Sequence, residues 1–202
     1  WRLATLVFMT VFAATIVMQL RFSYLQHVLE QKLERISDLI RFDTLTGALT
    51  RSHFLDQVRR ERTDGCLMIV DIDHFKAIND EYGHDVGDRA LSMMAAMLER
   101  EVGGLGMVGR LGGEEFGIFL PQIDQAEAMA MGEGLCALAK SERLHASEPW
   151  LHPTISIGGT VREEREPIGH TLKRADRALY HAKDTGRSRM VFEVPPHIMT
   201  AL

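Results

Sequence analysis

Two adjacent carboxylates, Glu114 and Glu115, follow two glycines in the stretch RLGGEEFGIFL, Arg110 to Leu120. Gly112 and Gly113 permit a turn with positive φ, and the residues on either side read as the arms of a β-hairpin. Side-by-side carboxylates repel each other, so a cation has to offset them. A third acid stands in an equally unusual place: Asp71 closes the apolar run CLMIVD, Cys66 to Asp71, which has the length and aliphatic content of a buried strand. A strand end beside a hairpin tip can gather acids that are distant in sequence. An oxygen-only donor set of this kind suits Mg²⁺, with Mn²⁺ as a substitute, because such ions take few carboxylates and complete their shell with water and phosphate. Taken alone, the hairpin tip reads equally as an acidic, solvated turn.

The elements that must position these acids follow from the punctuation of the chain. Asp73 can cap a short helix through Asp80, and Asp85 starts a longer one whose Leu91, Met94, Ala95 and Leu98 share an apolar face. Met107 to Leu120 is the hairpin. Asp124 with Glu127 three residues on resembles a capped helix start running to about Lys140; Thr154 to Val161 reads as a strand, Ile168 to Lys183 as a helix and Arg189 to Val194 as a last strand. Hairpins alternating with helices indicate an α+β fold with an antiparallel central sheet flanked by helices, expected over residues 43–202.

The N-terminal part differs. Leu3 to Leu20 is 18 residues without a charge, about 27 Å as a helix, and reads as a membrane span over residues 1–21. Trp1 in place of an initiator Met suggests the last span of a larger protein. Arg21, Lys32, Arg35 and Arg41 follow the run against Arg2 before it, which places the C-terminal side in the cytoplasm. Phe22, Leu29, Leu33, Ile36 and Ile40 then recur at three- and four-residue steps, the pattern of a coiled-coil linker over residues 22–42 that would make a parallel dimer. An amphipathic helix packed on its own domain is the alternative.

Bulk composition narrows the class. The 202 residues are 46% hydrophobic and 25% charged, enough for one globular domain plus an extra segment. A net charge of −5, from 23 Lys and Arg against 28 Asp and Glu, supplies no basic face for nucleic acid. Cys66 and Cys136 have neither metal-ligand spacing nor a disulfide partner pattern, and read as core thiols. Gly104, Gly106 and Gly109 spell G-x-G-x-x-G, but a helix precedes them and a hairpin follows, the reverse of what a dinucleotide turn needs.

Five segments together resemble one family: DTLTGALTR (Asp43 to Arg51), DIDHFKAINDEYGHDVGD (Asp71 to Asp88), RLGGEEF (Arg110 to Phe116), SIGG (Ser156 to Gly159) and ADRALYHAKDTGR (Ala175 to Arg187). In this order they are similar to the GGDEF family of diguanylate cyclases, in its GGEEF variant. The resemblance implies a fold like that of nucleotidyl cyclases and polymerase palms, and condensation of two GTP into cyclic di-GMP with release of pyrophosphate. It implies that Asp71, the Ile72 carbonyl and Glu114 ligate Mg²⁺, that Glu115 completes a second metal site, and that Glu114 also serves as proton acceptor. Asn79 and Asp88 correspond to the family's guanine-reading pair, and His84 contacts nucleotide or orders the loop. Lys76 and the backbone N–H groups of Phe75 and Lys76 correspond to phosphate ligands that stabilise transition-state charge, and Lys183 and Arg187 to ligands of the terminal phosphates.

Two departures from the family pattern stand out. The product-binding inhibitory RxxD has its Asp six positions before the first motif glycine, and those positions here are Gly103 and Gly106. Ser188 replaces the Asn that commonly follows GR. Because the product is two-fold symmetric and each domain presents one GTP, the resemblance also implies a homodimer, here expected at the bacterial inner membrane with its catalytic domain in the cytoplasm. The competing class is a nucleotide-binding module without turnover, and a mixed purine cyclic dinucleotide is the competing product.

Overall fold

The structure, a computed structural model, describes residues 1–39, 41–141, 152–164 and 166–195. The chain forms two units, Trp1–Ile40 and Arg41–Leu202. The first is the helix α1 (Arg2–Leu39). Among the described residues no helix is long and apolar enough to cross a membrane, so the span expected over Leu3–Leu20 is not found. The side chains of residues 2–4, 6–8, 10, 11 and 13 in that run lie outside the described set. Of the expected coiled-coil positions, Phe22 and Leu29 are exposed, while the side chains of Leu33 and Ile36, and all of Ile40, lie outside the described set.

The second unit runs β1 (Leu49–Thr50), α2 (Arg51–Arg60), β2 (Gly65–Ile72), α3 (Phe75–Tyr82), α4 (His84–Val102), β3 (Met107–Gly112), β4 (Glu115–Pro121), α5 (Gln125–Ser141), β5 (Ile155–Arg162), α6 (Ile168–Asp184) and β6 (Met190–Glu193). The strands form one sheet in the order β1-β3-β4-β2-β5-β6. The central pairs are antiparallel, but β1 runs parallel to β3 and β6 parallel to β5. The sheet is therefore mixed, which corrects the antiparallel expectation. Its physical reason at the β5 edge is α6: a helical crossover returns the chain to the same end of the sheet, so the next strand starts in the same direction.

All eight residues of β2 are buried, which explains why CLMIVD reads as an unbroken apolar run: successive side chains point to opposite faces, and both faces are covered. Cys66, Met68, Val70 and Ile72 join the core with α4 and α5, whereas Leu67 and Ile69 join a second cluster with α2 and α6. The same alternation sends Asp71 to the α6 face. Leu91, Met94, Ala95 and Leu98 of α4 are buried as the pattern predicts. At the start of α5, the Glu127 N–H donates to Asp124 Oδ1 at 2.8 Å, the expected cap.

The short strand β1 and the helix α2 escaped sequence reading. In α2 the apolar residues Phe54, Leu55 and Val58 are buried in an otherwise charged segment. The Phe54 ring rests on Gly109 and Gly117, which are partners across the β3–β4 hairpin. A Cβ at Gly109 would lie 2.5 Å from the Phe54 Cβ, and one at Gly117 2.6 Å from its Cε1. Gly109 of the G-x-G-x-x-G pattern is thus a seat for an aromatic ring. Gly158 of SIGG has a similar use, since a Cβ there would stand 2.1 Å from the backbone nitrogen of Leu179 in α6.

Candidate active site

Asp71 sits at the end of β2, opposite Glu115 of β4 on one side and Ser156 of β5 on the other. It is buried, and the Lys183 Nζ from the last turn of α6 lies 2.7 Å from its Oδ2. Burial is the largest influence on this carboxyl and pushes its pKa up; Lys183 opposes that rise, and the charges of Glu114 and Glu115 add to it. The three acids predicted from sequence are therefore close enough to feel one another. The Ile72 N–H points to the Glu114 carbonyl at 3.4 Å, so the hairpin tip and the strand end also meet through the backbone.

Among the described residues no group of three or more His, Cys, Asp or Glu side chains converges as a metal cluster. The donor set nevertheless fits a hard divalent cation that takes few protein ligands: a buried carboxylate, neighbouring acids on an adjacent strand, and an ammonium already standing where positive charge is needed. Asp71, Glu114 and Glu115 with the Ile72 carbonyl are the groups that would hold it.

The hairpin tip is built for rigidity. The register shifts between Arg110 and Gly112, and Gly113 has φ +43. Arg110 donates to the Gly113 carbonyl through Nε at 3.1 Å and Nη2 at 2.8 Å, and through Nη1 to Asp43 Oδ1 at 3.1 Å. Asp43 also accepts from the Thr46 N–H at 2.9 Å and hydroxyl at 2.7 Å. Burial alone would raise the Asp43 carboxyl, but the Thr46 bonds and the Arg110 guanidinium outweigh it and hold it below its ordinary range. From the same segment, Arg51 Nη1 donates to the Leu111 carbonyl at 2.9 Å. DTLTGALTR is thus a brace for the two glutamates, a role that sequence reading had not assigned.

The other predicted residues line the α3–α4 side. Phe75 and Lys76 begin α3, with Phe75 buried and Lys76 exposed. The Asn79 carboxamide lies against Gly87, where a Cβ would be 1.9 Å from its Oδ1, so only glycine leaves room for it one residue before Asp88. His84 is the first residue of α4, one position before Asp85, after Gly83 at φ +85. His84, Asp88 and, after α6, Arg187 are exposed. Asp73 does not cap α3: His74, in the left-handed region at φ 57, precedes that helix. The buried Asp73 carboxylate instead accepts from Thr154 Oγ1 at 2.7 Å, Ser156 Oγ at 2.6 Å and the Ser188 N–H at 3.0 Å. Its spacing of two from Asp71 was the available signal, because alternation puts both acids on one face.

At the positions of the inhibitory motif, Gly103 lies in a short 3₁₀ turn, Gly103–Leu105, and a Cβ at Gly106 would come within 2.2 Å of the Phe119 carbonyl oxygen.

A mixed sheet that sets acids and a lysine at one strand end defines an α+β domain with a charged site at that end. The chain belongs to the GGDEF family: the profile described as "Diguanylate cyclase, GGDEF domain" matches residues 40–189. Among curated relatives, the chain is 37% identical over 159 residues to "Probable diguanylate cyclase DgcT" of Escherichia coli (strain K12), covering 74% of this chain and 35% of that protein. It is 37% identical over 155 residues to "Diguanylate cyclase DgcZ" of the same organism, covering 74% and 52%. Thus the chain spans about a third to a half of the length of these relatives. A crystal structure of the coiled coil and GGDEF domain of DgcB from Caulobacter crescentus in complex with c-di-GMP superposes with a TM-score of 0.73 at 28% identity, covering 88% of this chain and 99% of that one.

Proposed function

We propose that this protein is a diguanylate cyclase that joins two GTP into cyclic di-GMP and releases two pyrophosphates. The observation that carries this reading is the buried Asp71 carboxylate, paired with the Lys183 ammonium and within electrostatic reach of Glu114 and Glu115, in a domain of the GGDEF family. In each half-reaction the 3′-hydroxyl of one GTP attacks the α-phosphorus of the other, the P–O bond to pyrophosphate breaks, and the hydroxyl proton passes to a carboxylate, here Glu114. A bound Mg²⁺, or Mn²⁺ in its place, supplies Lewis-acid polarisation of phosphate oxygens and charge neutralisation.

The chain's own residues do the rest. Asn79 donates to the guanine carbonyl and Asp88 accepts from its ring N–H and amino group, a pattern adenine does not offer. Lys76, with the Phe75 and Lys76 N–H groups at the start of α3, takes phosphate and transition-state charge, and Lys183 and Arg187 take the terminal phosphates. His84 orders the loop at the nucleobase. Two copies face each other around the joined nucleotides, since one domain presents one GTP. With glycine at positions 103 and 106, the RxxD inhibitory contact has no side chains to make it. A location at the bacterial inner membrane rests on the uncharged sequence run Leu3–Leu20 alone, and fractionation of the full-length protein into the soluble pool would refute it.

Incubation of the chain with GTP and Mg²⁺, followed by product identification by mass, tests the function. Cyclic di-GMP is the expected product. Release of GDP alone, or of a mixed purine product when ATP is also supplied, would refute this specificity.

A further inference from the structure

We infer that Asp73 is a positioning residue that holds the cationic turn after α6 in place over the end of β2. The turn is unusual. Gly186, Arg187 and Ser188 follow one another with φ of 116, 60 and 49, and side chains other than glycine adopt that region only when their surroundings impose it. Its ties run to three elements. The Arg187 N–H donates to the Ala182 carbonyl in α6 at 2.9 Å, and the Arg189 carbonyl accepts from the Ile157 N–H in β5 at 2.9 Å. Between them, the Ser188 N–H donates to Asp73 Oδ2 at 3.0 Å. This is the turn's link to the strand that carries Asp71.

Asp73 is itself fixed. It is 4% exposed, its N–H donates to the Thr154 carbonyl at 2.8 Å, and the Thr154 and Ser156 hydroxyls hold its two oxygens. Ser156 is also the β5 partner of Asp71. A single carboxylate therefore registers the end of β2, the start of β5 and the turn bearing Arg187, four residues beyond Lys183. The Ser188 hydroxyl is buried without a hydrogen-bond partner among the described residues, so the backbone N–H, not the side chain, makes the link. That clarifies the departure at Ser188: any residue that accepts a left-handed conformation and keeps its N–H can serve. Asn does so most readily, which makes it a natural occupant.

The inference rests on the proposed role of Lys183 and Arg187 at the triphosphate, and adds what places them. Its test compares two ligands with the full chain in Mg²⁺: a GTP analogue with an α,β-methylene bridge, and guanosine. Asp73→Leu, of similar shape, leaves the Ser188 N–H without an acceptor. Asp73→Asn can keep the link, because its Oδ1 in the place of Oδ2 still accepts from Thr154 and Ser188 while the Ser156 hydroxyl reverses its role, so it serves as the rescue control. The expected result in Asp73→Leu is about tenfold weaker binding of the triphosphate, the scale of one charge-assisted hydrogen bond, with guanosine affinity held within about twofold and faster amide exchange over 186–188. Unchanged triphosphate affinity in folded Asp73→Leu would overturn the inference, as would an equal loss for both ligands or a loss in Asp73→Asn as large as that in Asp73→Leu. Should Asp73→Leu not fold, exchange in the unmodified chain decides: a Ser188 amide exchanging at the rate of an open loop refutes the link. Lys183→Ala and Arg187→Ala, measured with the same ligands, isolate the underlying reading. If both keep full triphosphate affinity, the phosphate role fails, while the holding of the turn by Asp73 is still decided by its exchange rate.

Discussion

The Nζ of Lys183 stands 2.7 Å from Oδ2 of Asp71, so a side chain occupies the place where the proposed reaction needs a cation. The ammonium partly offsets a carboxylate that burial and two neighbouring glutamates destabilise. Removing it should make the acidic site hungrier for metal. Lys183→Met is expected to bind Mn²⁺ without nucleotide about threefold to tenfold more tightly than the parent, by spin-resonance titration, while its turnover of GTP falls. Equal or weaker Mn²⁺ binding would show that Lys183 does not compete for the site.

The raised Asp71 carboxyl carries a sign for stability. A folded pKa above the unfolded value means a contribution that is full below the ordinary value of 3.8 and lost as pH rises through the raised one. Above that raised value and without metal, the ionised group is therefore a liability. Asp71→Asn should raise Tm by about 2 °C or more under those conditions while abolishing synthesis, the trade expected at a functional acid. A lower Tm in metal-free buffer would contradict this.

Glu166 has the opposite sign. Burial would raise it, but hydrogen bonds from Arg174 and Thr171 hold it below its ordinary value of 4.5; Arg174 Nη2 lies 2.7 Å from its Oε2. Its contribution is present above pH 4.5 and fades as pH falls through the lower folded value. Glu166→Gln should cost about 2–4 kcal/mol at pH 7, measured by urea unfolding, with the difference from the parent closing as pH falls below 4.5 and through the lower folded value. A difference independent of pH would remove the ion pair as its cause.

Gly106 gives a prediction about regulation. Its missing Cβ faces the Phe119 carbonyl oxygen at 2.2 Å, so Gly106→Asp should destabilise the domain by about 1–3 kcal/mol rather than install a working inhibitory pair. In the parent, added cyclic di-GMP should inhibit only by competing with GTP. Strong noncompetitive inhibition in initial-rate kinetics would overturn this.

Much of the site was legible because it depends on local patterns. Asp71 at the end of an apolar run, glutamates after paired glycines and the Asp124–Glu127 cap each announce themselves within a few residues, and the structure puts all three where the patterns say. What escaped depends on distant partners. The parallel edges of the sheet follow from where crossovers land, α2 is made by Phe54 finding two glycines more than fifty residues away, and Asp73 looks like a helix cap until β5 and the turn at Ser188 fold against it. The segment Asp43–Arg51 carried a resemblance but no visible chemistry, since its task is to brace Arg110 and the Leu111 carbonyl.

Mass-identified product formation from GTP and Mg²⁺, run side by side for the unmodified chain and Glu114→Ala at matched protein concentrations, is the most direct measurement. The expected result is cyclic di-GMP from the unmodified chain, with a rate per subunit that rises with concentration as copies pair, and a loss of at least about a hundredfold in the variant. No cyclic di-GMP from the unmodified chain under dimerising conditions, or equal synthesis by Glu114→Ala, would contradict the assignment of this site as the place where two GTP are joined.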